Sequence, residues 1–554
     1  MDKIDLLITN ANVLTLDCEN SRAGSVAVKD GKIVNIWQEP EPPIGSINVT
    51  NQTELVNLHG ATLLPGFIDT HNHILMYSSM QNQVDCSSPK NKTINDIKES
   101  IRLKVKEMQV NEWVVGHSYD DTLLYERRHL TRYDLDEVAP NNPVLIRHTS
   151  GHLAAANSLG LEYAGLDNSV SDPQGGHYGR DDKGQLNGVL YEPSAMQVVL
   201  DQIPKQSNEE RIQQLGKTSQ EYLAHGITTN TDAAVGMFDG LQELDIHLKA
   251  AERNVNPMRT QLMIMHHFLR EGEKYAGYSA EELDKELKER SNGRVQLDSA
   301  KMFQDGSIQG LTGALRQPYY QHPEIYGDLI HDEQLFQEEV LNLHERGFRI
   351  TTHGNGDRAI GSILDAYANS LEKSPHNDHR HRIEHVQTAT TDDLARMGKL
   401  GVAGSFFINH VYYWGDRHEQ IFLGPERARR ISPLAEAIEH NVLFTLHSDC
   451  PVTPISPLFS VWAAVNRITR EGKVLGPEQR IDVETALKSM TIYGAKFIFE
   501  EENIGSIEVG KKADFAVLEA DPTKVDPTEI KDISINATFI GGKPVYGHET
   551  LMTN

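Results

Sequence analysis

Two histidines one residue apart, His71 and His73, close the apolar run Gly66-Phe-Ile-Asp-Thr-His-Asn-His73. Side chains i and i+2 of a strand point to the same side, so both imidazoles can converge on one ion. More ionisable residues end later apolar, β-branched runs: His353 after Phe348-Arg-Ile-Thr-Thr, His385 after Arg382-Ile-Glu, and Asp449 after Thr445-Leu-His-Ser. Imidazoles with a carboxylate suit a divalent metal, Zn²⁺ first, with Mn²⁺, Fe²⁺ and Ni²⁺ open. The three cysteines, Cys18, Cys86 and Cys450, form no Cys-x-x-Cys pair, so neither a thiolate zinc site nor a disulfide framework is expected.

The elements that must carry these residues are eight strand-like runs: Gly66–His71, Gly226–Asp232, Gln261–Met265, Ser299–Phe303, Phe348–His353, His381–His385, Val402–Phe406 and Val442–Asp449. Helix-like stretches such as Ser362–Leu371 lie between them, and His353 to His385 is one βαβ repeat of 32 residues. The pattern predicts an α/β chain with a TIM-like (β/α)8 barrel, residues 63–495, whose chemistry sits at the C-terminal ends of the strands. The gap between Lys301 and His353 has room for an extra loop, placed at Gly306–Asp328.

The gap after the first strand is much longer. Residues 77–215 are read as an insertion with its own strands, at Trp113–Gly116 and Pro143–Arg147, overhanging the active site and selecting substrate. At the termini, Asp5–Leu16 and Ser25–Ile36 alternate apolar and polar residues around an Asp30-Gly31 hairpin signal, and Ala513–Leu518 and Ala537–Tyr546 repeat the style. Residues 1–62 plus 496–554 are therefore expected to form one small composite β-sandwich domain.

A chain of 554 residues with a net charge of -26 carries no overall basic surface for nucleic acid or anionic membrane. There is no signal-peptide pattern at Met1–Thr9 and no apolar run of about 20 residues. The expectation is a cytoplasmic enzyme acting on a small molecule, with the oligomeric state, a homo-oligomer included, open.

Gly66–His73, His353-Gly-Asn-Gly-Asp-Arg358, Arg382-Ile-Glu-His385, His447-Ser-Asp-Cys-Pro-Val452 and Gly505–Asp514 together resemble the amidohydrolase superfamily, and within it the amidohydrolase-3 branch. The likeness runs nearly end to end. It implies that His71 and His73 bind one metal and His353 and His385 a second, and that Asp449 touches the first and carries the proton. It also implies that Lys301, in Lys301-Met-Phe-Gln-Asp-Gly-Ser307, is carboxylated and bridges a binuclear centre, since a free ammonium cannot ligate a cation. Two Zn²⁺ ions would then supply hydroxide near neutral pH, and Asp449 would act as general base and acid in cleaving a C–N bond of an N-substituted amide or formamide. A heterocycle deaminase and a non-catalytic regulatory relative are the alternatives, and the complete ligand set speaks against the second.

Other residues have weaker claims. Glu192, in Gly188-Val-Leu-Tyr-Glu192, rivals Lys301 as the bridging carboxylate but falls in the insertion. His152 can hold a substrate oxygen or serve a local turn, and it matches a histidine of the branch. His447 faces the same side as Asp449 and can orient it or the substrate, or simply pack. Arg358, with Asp357, is read as substrate contact or as a structural ion pair and helix cap. His117, Tyr119 and Asp120 are equally ambiguous, and Cys450 is read as a packed residue because no base stands beside it.

Overall fold

A computed structural model of the chain describes residues 3–88, 90–149 and 153–547. Eight parallel strands, hydrogen-bonded in chain order, form its central sheet. They are β1 (Phe67–Asn72), β2 (Ile227–Val235), β3 (Arg259–Met265), β4 (Val295–Phe303), β5 (Ile350–Gly354), β6 (Arg382–His385), β7 (Ala403–Phe406) and β8 (Phe444–Leu446). The eight runs expected from sequence are thus the eight strands of a TIM-like barrel.

β1 and β8 are the two ends of the ladder, and side chains and loops bring them together. The Thr70 and Thr445 hydroxyls lie 2.8 Å apart. Beyond the strands, the Asp449 amide donates to the His71 carbonyl at 3.2 Å and the His73 amide to the Cys450 carbonyl at 2.7 Å. The first and last metal-ligating candidates, far apart in sequence, become neighbours for this reason.

Local chemistry starts and stops the helices between strands. Thr390 with Asp393 and Ser279 with Glu282 form capping boxes, each satisfying donors at a helix start. Gly401, at φ +72°, ends the helix Thr391–Leu400 in the left-handed conformation that glycine adopts without a Cβ clash. The helix Asp357–Lys373 covers the predicted Ser362–Leu371, and Gly306–Asp328 is an irregular loop as expected.

Two further sheets are built from the terminal segments, the first from the N-terminal one alone and the second from both. One has four strands, Lys32–Trp37, Ser25–Lys29, Leu6–Thr9 and Glu54–Asn57; the other has six, among them Asn12–Leu14, Thr62–Pro65, Phe515–Leu518 and Ile535–Ile540. Leu6, Ile8, Val26 and Val28 of the first pack with Val13, Leu63, Phe515, Val517 and Phe539 of the second in one core, which makes a sandwich. The Asp30-Gly31 hairpin forms, with both residues at positive φ as a type I′ turn requires. The alternating run Asp5–Leu16 is divided, however. Asn10, at φ +50°, turns the chain, so Leu6–Thr9 and Asn12–Leu14 enter different sheets. Thr62–Pro65 pairs with Phe515–Leu518, which takes the sandwich into residues that the sequence pattern gave to the barrel.

The chain divides into two units, residues 1–75 with 215–554, and residues 76–214. The second holds a six-stranded sheet of its own, including Val114–Tyr119 and Val144–His148. Its strands alternate: Val144 and Ile146 pack with the helix Ile94–Val105 on one face, while Leu145 packs with Leu161 and Met196 on the other. No described helix is long and apolar enough to cross a membrane.

Candidate metal centre

His71 is the penultimate residue of the fully buried β1, and His73 follows directly after its end. Their Nε2 atoms stand 3.3 and 3.2 Å from the same oxygen, Oδ1 of Asp449. Among the described residues that oxygen accepts no well-formed hydrogen bond, although it is buried. Two donors each about 2.1 Å from a tetrahedral ion are separated by about 3.4 Å, so each of these two contacts has the spacing of ligands that share a cation.

His385 closes β6 and His353 is the penultimate residue of β5, and their ring centroids are 4.5 Å apart. Donor atoms of His71, His385, His447 and Asp449 all lie within 4.8 Å of one another. Asp449 and His385 both have positive φ, +53° and +71°, a conformation that costs a non-glycine residue on the order of 1 kcal/mol and that gathers at functional sites. At His385 it also breaks strand alternation and re-aims the ring.

The Nδ1 atoms of His71, His353 and His385 are already engaged. Nδ1 of His71 meets Oε2 of Glu384; Nδ1 of His353 lies 3.1 Å from Oδ1 of Asp305; Nδ1 of His385 lies 3.2 Å from Nε2 of His447. Holding one ring nitrogen orients each ring; Nε2 of His71 is turned to Asp449, whereas Nε2 of His353 lies 3.3 Å from Asn355 Nδ2 and Nδ1 of His385 also comes within 4.0 Å of Asp449 Oδ2. Glu384 and Asp305 were not singled out from the sequence, although both lie inside quoted motifs. Only the register, which sets His353 beside Glu384, shows what they touch.

Glu384 is itself braced. Arg382 Nε donates to its Oε1 at 2.7 Å and Arg382 Nη2 to Asp298 Oδ2 at 2.8 Å, while Arg349 Nη2 is 3.0 Å from Asp298 Oδ1. Asp305 accepts the backbone amides of Ala314, Asn355 and Gly356 at 2.7–3.0 Å, which locks the loop after β4 to the end of β5.

Electrostatics follow from this packing. Burial opposes a charge on Asp449, but the His71 and His73 imidazoles outweigh it and hold the carboxyl well below its usual range. Burial likewise opposes imidazolium at His71, yet the Glu384 carboxylate raises its proton affinity. His447 is enclosed and pushed down to about 3, so it is neutral; Ser405 Oγ takes its Nδ1 at 2.8 Å. With its Nε2 against His385 Nδ1, His447 is placed to orient that ring. Burial pushes the Cys450 thiol well up, which fits a packed residue and no nucleophile.

Lys301, on β4, is almost wholly buried, and its Nζ has no hydrogen-bond partner among the described residues. It lies 4.9 Å from the Phe303 ring centroid, and burial pulls its pKa down to about 8 despite the nearby Glu384 and Asp449 charges. A buried amine without a hydrogen-bond partner beside a carboxylate and imidazole cluster calls for an explanation in the chemistry of the site. The donor set therefore fits a metal centre.

The other candidates have partners of their own. Arg358 donates from Nη2 to the Gly327 carbonyl at 2.7 Å, and Asp357 accepts the Arg316 amide at 2.8 Å in the first turn of a helix. Glu192 belongs to the unit 76–214, at φ +70° ahead of the helix Pro193–Leu200. His117, in the same unit, contacts Ser118 Oγ at 3.0 Å. His152 lies outside the described residues.

Known proteins give the geometry a context. The protein is 28% identical to N-substituted formamide deformylase of Arthrobacter pascens, over 97% of each chain. It is 29% identical to the Arabidopsis thaliana protein LONG AFTER FAR-RED 3, over 98% of this chain and 91% of the other. An uncharacterised metal-dependent hydrolase of Pyrococcus horikoshii shares its fold, with a TM-score of 0.73 at 21% identity over 94% of this chain and 99% of that one. The model of the amidohydrolase family matches residues 54–546, nearly the whole chain, so the chain belongs to the amidohydrolase family.

Proposed function

We propose that the protein hydrolyses a C–N bond of an N-substituted amide or formamide, using two divalent metal ions, Zn²⁺ in the first place. His71, His73 and Asp449 would hold one ion and His353 and His385 the other, with carboxylated Lys301 between them. The observation that carries the reading is the convergence of His71 Nε2 and His73 Nε2 on Asp449 Oδ1 at 3.3 and 3.2 Å without a well-formed hydrogen bond. Similarity to a formamide deformylase along the whole chain supports the substrate class.

Bound metal would supply Lewis acidity, making a water more acidic and the amide carbonyl more electrophilic. The residues do the rest. Asp449, ionised across the working pH range, accepts the proton of the attacking water and returns it to the departing nitrogen, so one carboxylate serves both steps. Glu384, Asp305 and His447 keep the three imidazoles oriented through their Nδ1 atoms. The neutral fraction of Lys301, with its pKa near 8, attacks CO₂ through Nζ and sheds a proton, giving the carbamate that this reading requires.

The test pairs elemental analysis of purified protein with a screen of N-formyl, N-acyl and cyclic amides. About two metal ions per chain and turnover of an N-substituted amide are expected. A stably folded, metal-free native protein that turns over none of them would overturn the proposal.

A further inference from the structure

His410 stands apart from the ligand set but beside it. The loop after β7 passes between the ends of β6 and β8: the Phe407 amide donates to the His385 carbonyl at 3.4 Å and the His447 amide to the Phe406 carbonyl at 3.2 Å. The Phe407 ring stacks on His447 at 5.3 Å and lies 6.0 Å from His385. His410, first residue of the helix His410–Arg417, lies against Phe407 at 4.1 Å between centroids. Asn409 pins this turn, donating to Thr453 Oγ1 at 2.9 Å and accepting from Ser460 Oγ at 3.1 Å. His410 is therefore fixed, through the Phe407 ring, beside His385 and His447 at the rim of the proposed metal centre.

Its side chain is buried, and Nδ1 has no hydrogen-bond partner among the described residues. Leaving a buried polar atom unsatisfied costs about 1–3 kcal/mol, so in folded proteins such an atom calls for an explanation, often in function. Trp414, one helical turn on and half-buried, stands 5.2 Å from His410 and 6.3 Å from Phe407. The three rings form an aromatic wall that ends at the ligand cluster.

We infer that His410 is a substrate-binding residue: its imidazole hydrogen-bonds the scissile amide, while Trp414 packs against the amide's apolar, preferably aryl, substituent. This rests on the amide-hydrolase reading and narrows it to N-substituted amides with a flat apolar group. His410 orients the amide and takes no part in the proton transfers assigned to Asp449.

The experiment compares wild type, His410→Phe, His410→Gln and Trp414→Ala, all metal-loaded, with two probes that resemble an amide, acetohydroxamate and benzohydroxamate. Metal content by elemental analysis should be unchanged in every variant. Dissociation constants by calorimetry should rise about tenfold for both probes in His410→Phe, with partial recovery in His410→Gln. Trp414→Ala should weaken benzohydroxamate more than acetohydroxamate. Unchanged affinities in His410→Phe, or loss of metal or fold in both His410 variants, would overturn the inference. If the probes respond as expected but wild type hydrolyses no amide, the amide-hydrolase reading fails and the binding role of His410 stands.

Discussion

Replacing Glu384 with glutamine removes one charge from a fully buried chain that runs from His71 through Arg382 and Asp298 to Arg349. The side chain keeps its shape and can still contact His71 Nδ1, but the charge-assisted bond becomes a neutral one of roughly half the strength. Losing an outer partner of a ligating histidine lowers metal affinity by about 10- to 100-fold, or about 1.4–2.7 kcal/mol. The fold loses more, because Arg382, fully buried, keeps only Asp298 as counter-charge; breaking such a pair costs about 3–5 kcal/mol. Glu384→Gln should thus be destabilised by about that amount in urea unfolding of metal-free protein. In a chelator competition followed by elemental analysis, it should release metal at about 10- to 100-fold lower chelator excess than wild type. A metal affinity within about twofold of wild type, in a folded variant, would show that the Glu384–His71 contact does not organise the centre and would refute the reasoning.

Further outcomes separate the roles of other residues. Asp449→Asn should lower amide turnover by about 100-fold or more while the metal bound through histidines is largely kept; persistent turnover would remove Asp449 as the proton carrier. Lys301→Ala should bring the metal content towards one ion per chain, and an unchanged two-ion stoichiometry would remove the bridge. His381 and His418 are both buried and held well below the usual histidine range by desolvation. His381 Nδ1 accepts the Ile350 amide at 3.0 Å and its Nε2 lies 2.9 Å from His344 Nδ1, an arrangement with no place for a second proton. Both folded pKa values are depressed, so the unfolded chain takes up protons first. Their contribution is complete above about pH 6.5 and falls by about 1.4 kcal/mol per pH unit for each histidine below it. Urea unfolding of metal-free protein should accordingly show a loss of about 2–3 kcal/mol from pH 6.5 to 5.5; equal or greater stability at pH 5.5 would contradict this.

The barrel was legible because each strand is an apolar, β-branched run, and because the ionisable residues that end several of them, His71, His353, His385 and Asp449, mark where chemistry belongs on this architecture. What the sequence did not reveal depends on contacts across strands. Glu384 precedes His385 in a run where alternation would turn the two to opposite faces; the register sets Glu384 beside His353, and the left-handed backbone is at His385. Asp305 reads as part of a loop, yet its oxygens gather three backbone amides and His353. The division of Asp5–Leu16 at Asn10 was hidden for a different reason: a single positive φ in an otherwise regular alternating pattern leaves almost no trace in composition. His410 carries no motif signal at all, since its claim comes from an unsatisfied nitrogen against the ring of Phe407.

The central claim, amide hydrolysis by metal ions held at His71, His73, Lys301, His353, His385 and Asp449, is tested most directly by titrating Zn²⁺ into chelated, folded protein while following hydrolysis of an N-substituted formamide. Activity should be absent at the start and reach its plateau at two equivalents per chain. Full activity in the chelated protein, or none at any loading with Zn²⁺, Mn²⁺, Fe²⁺ or Ni²⁺, would contradict it.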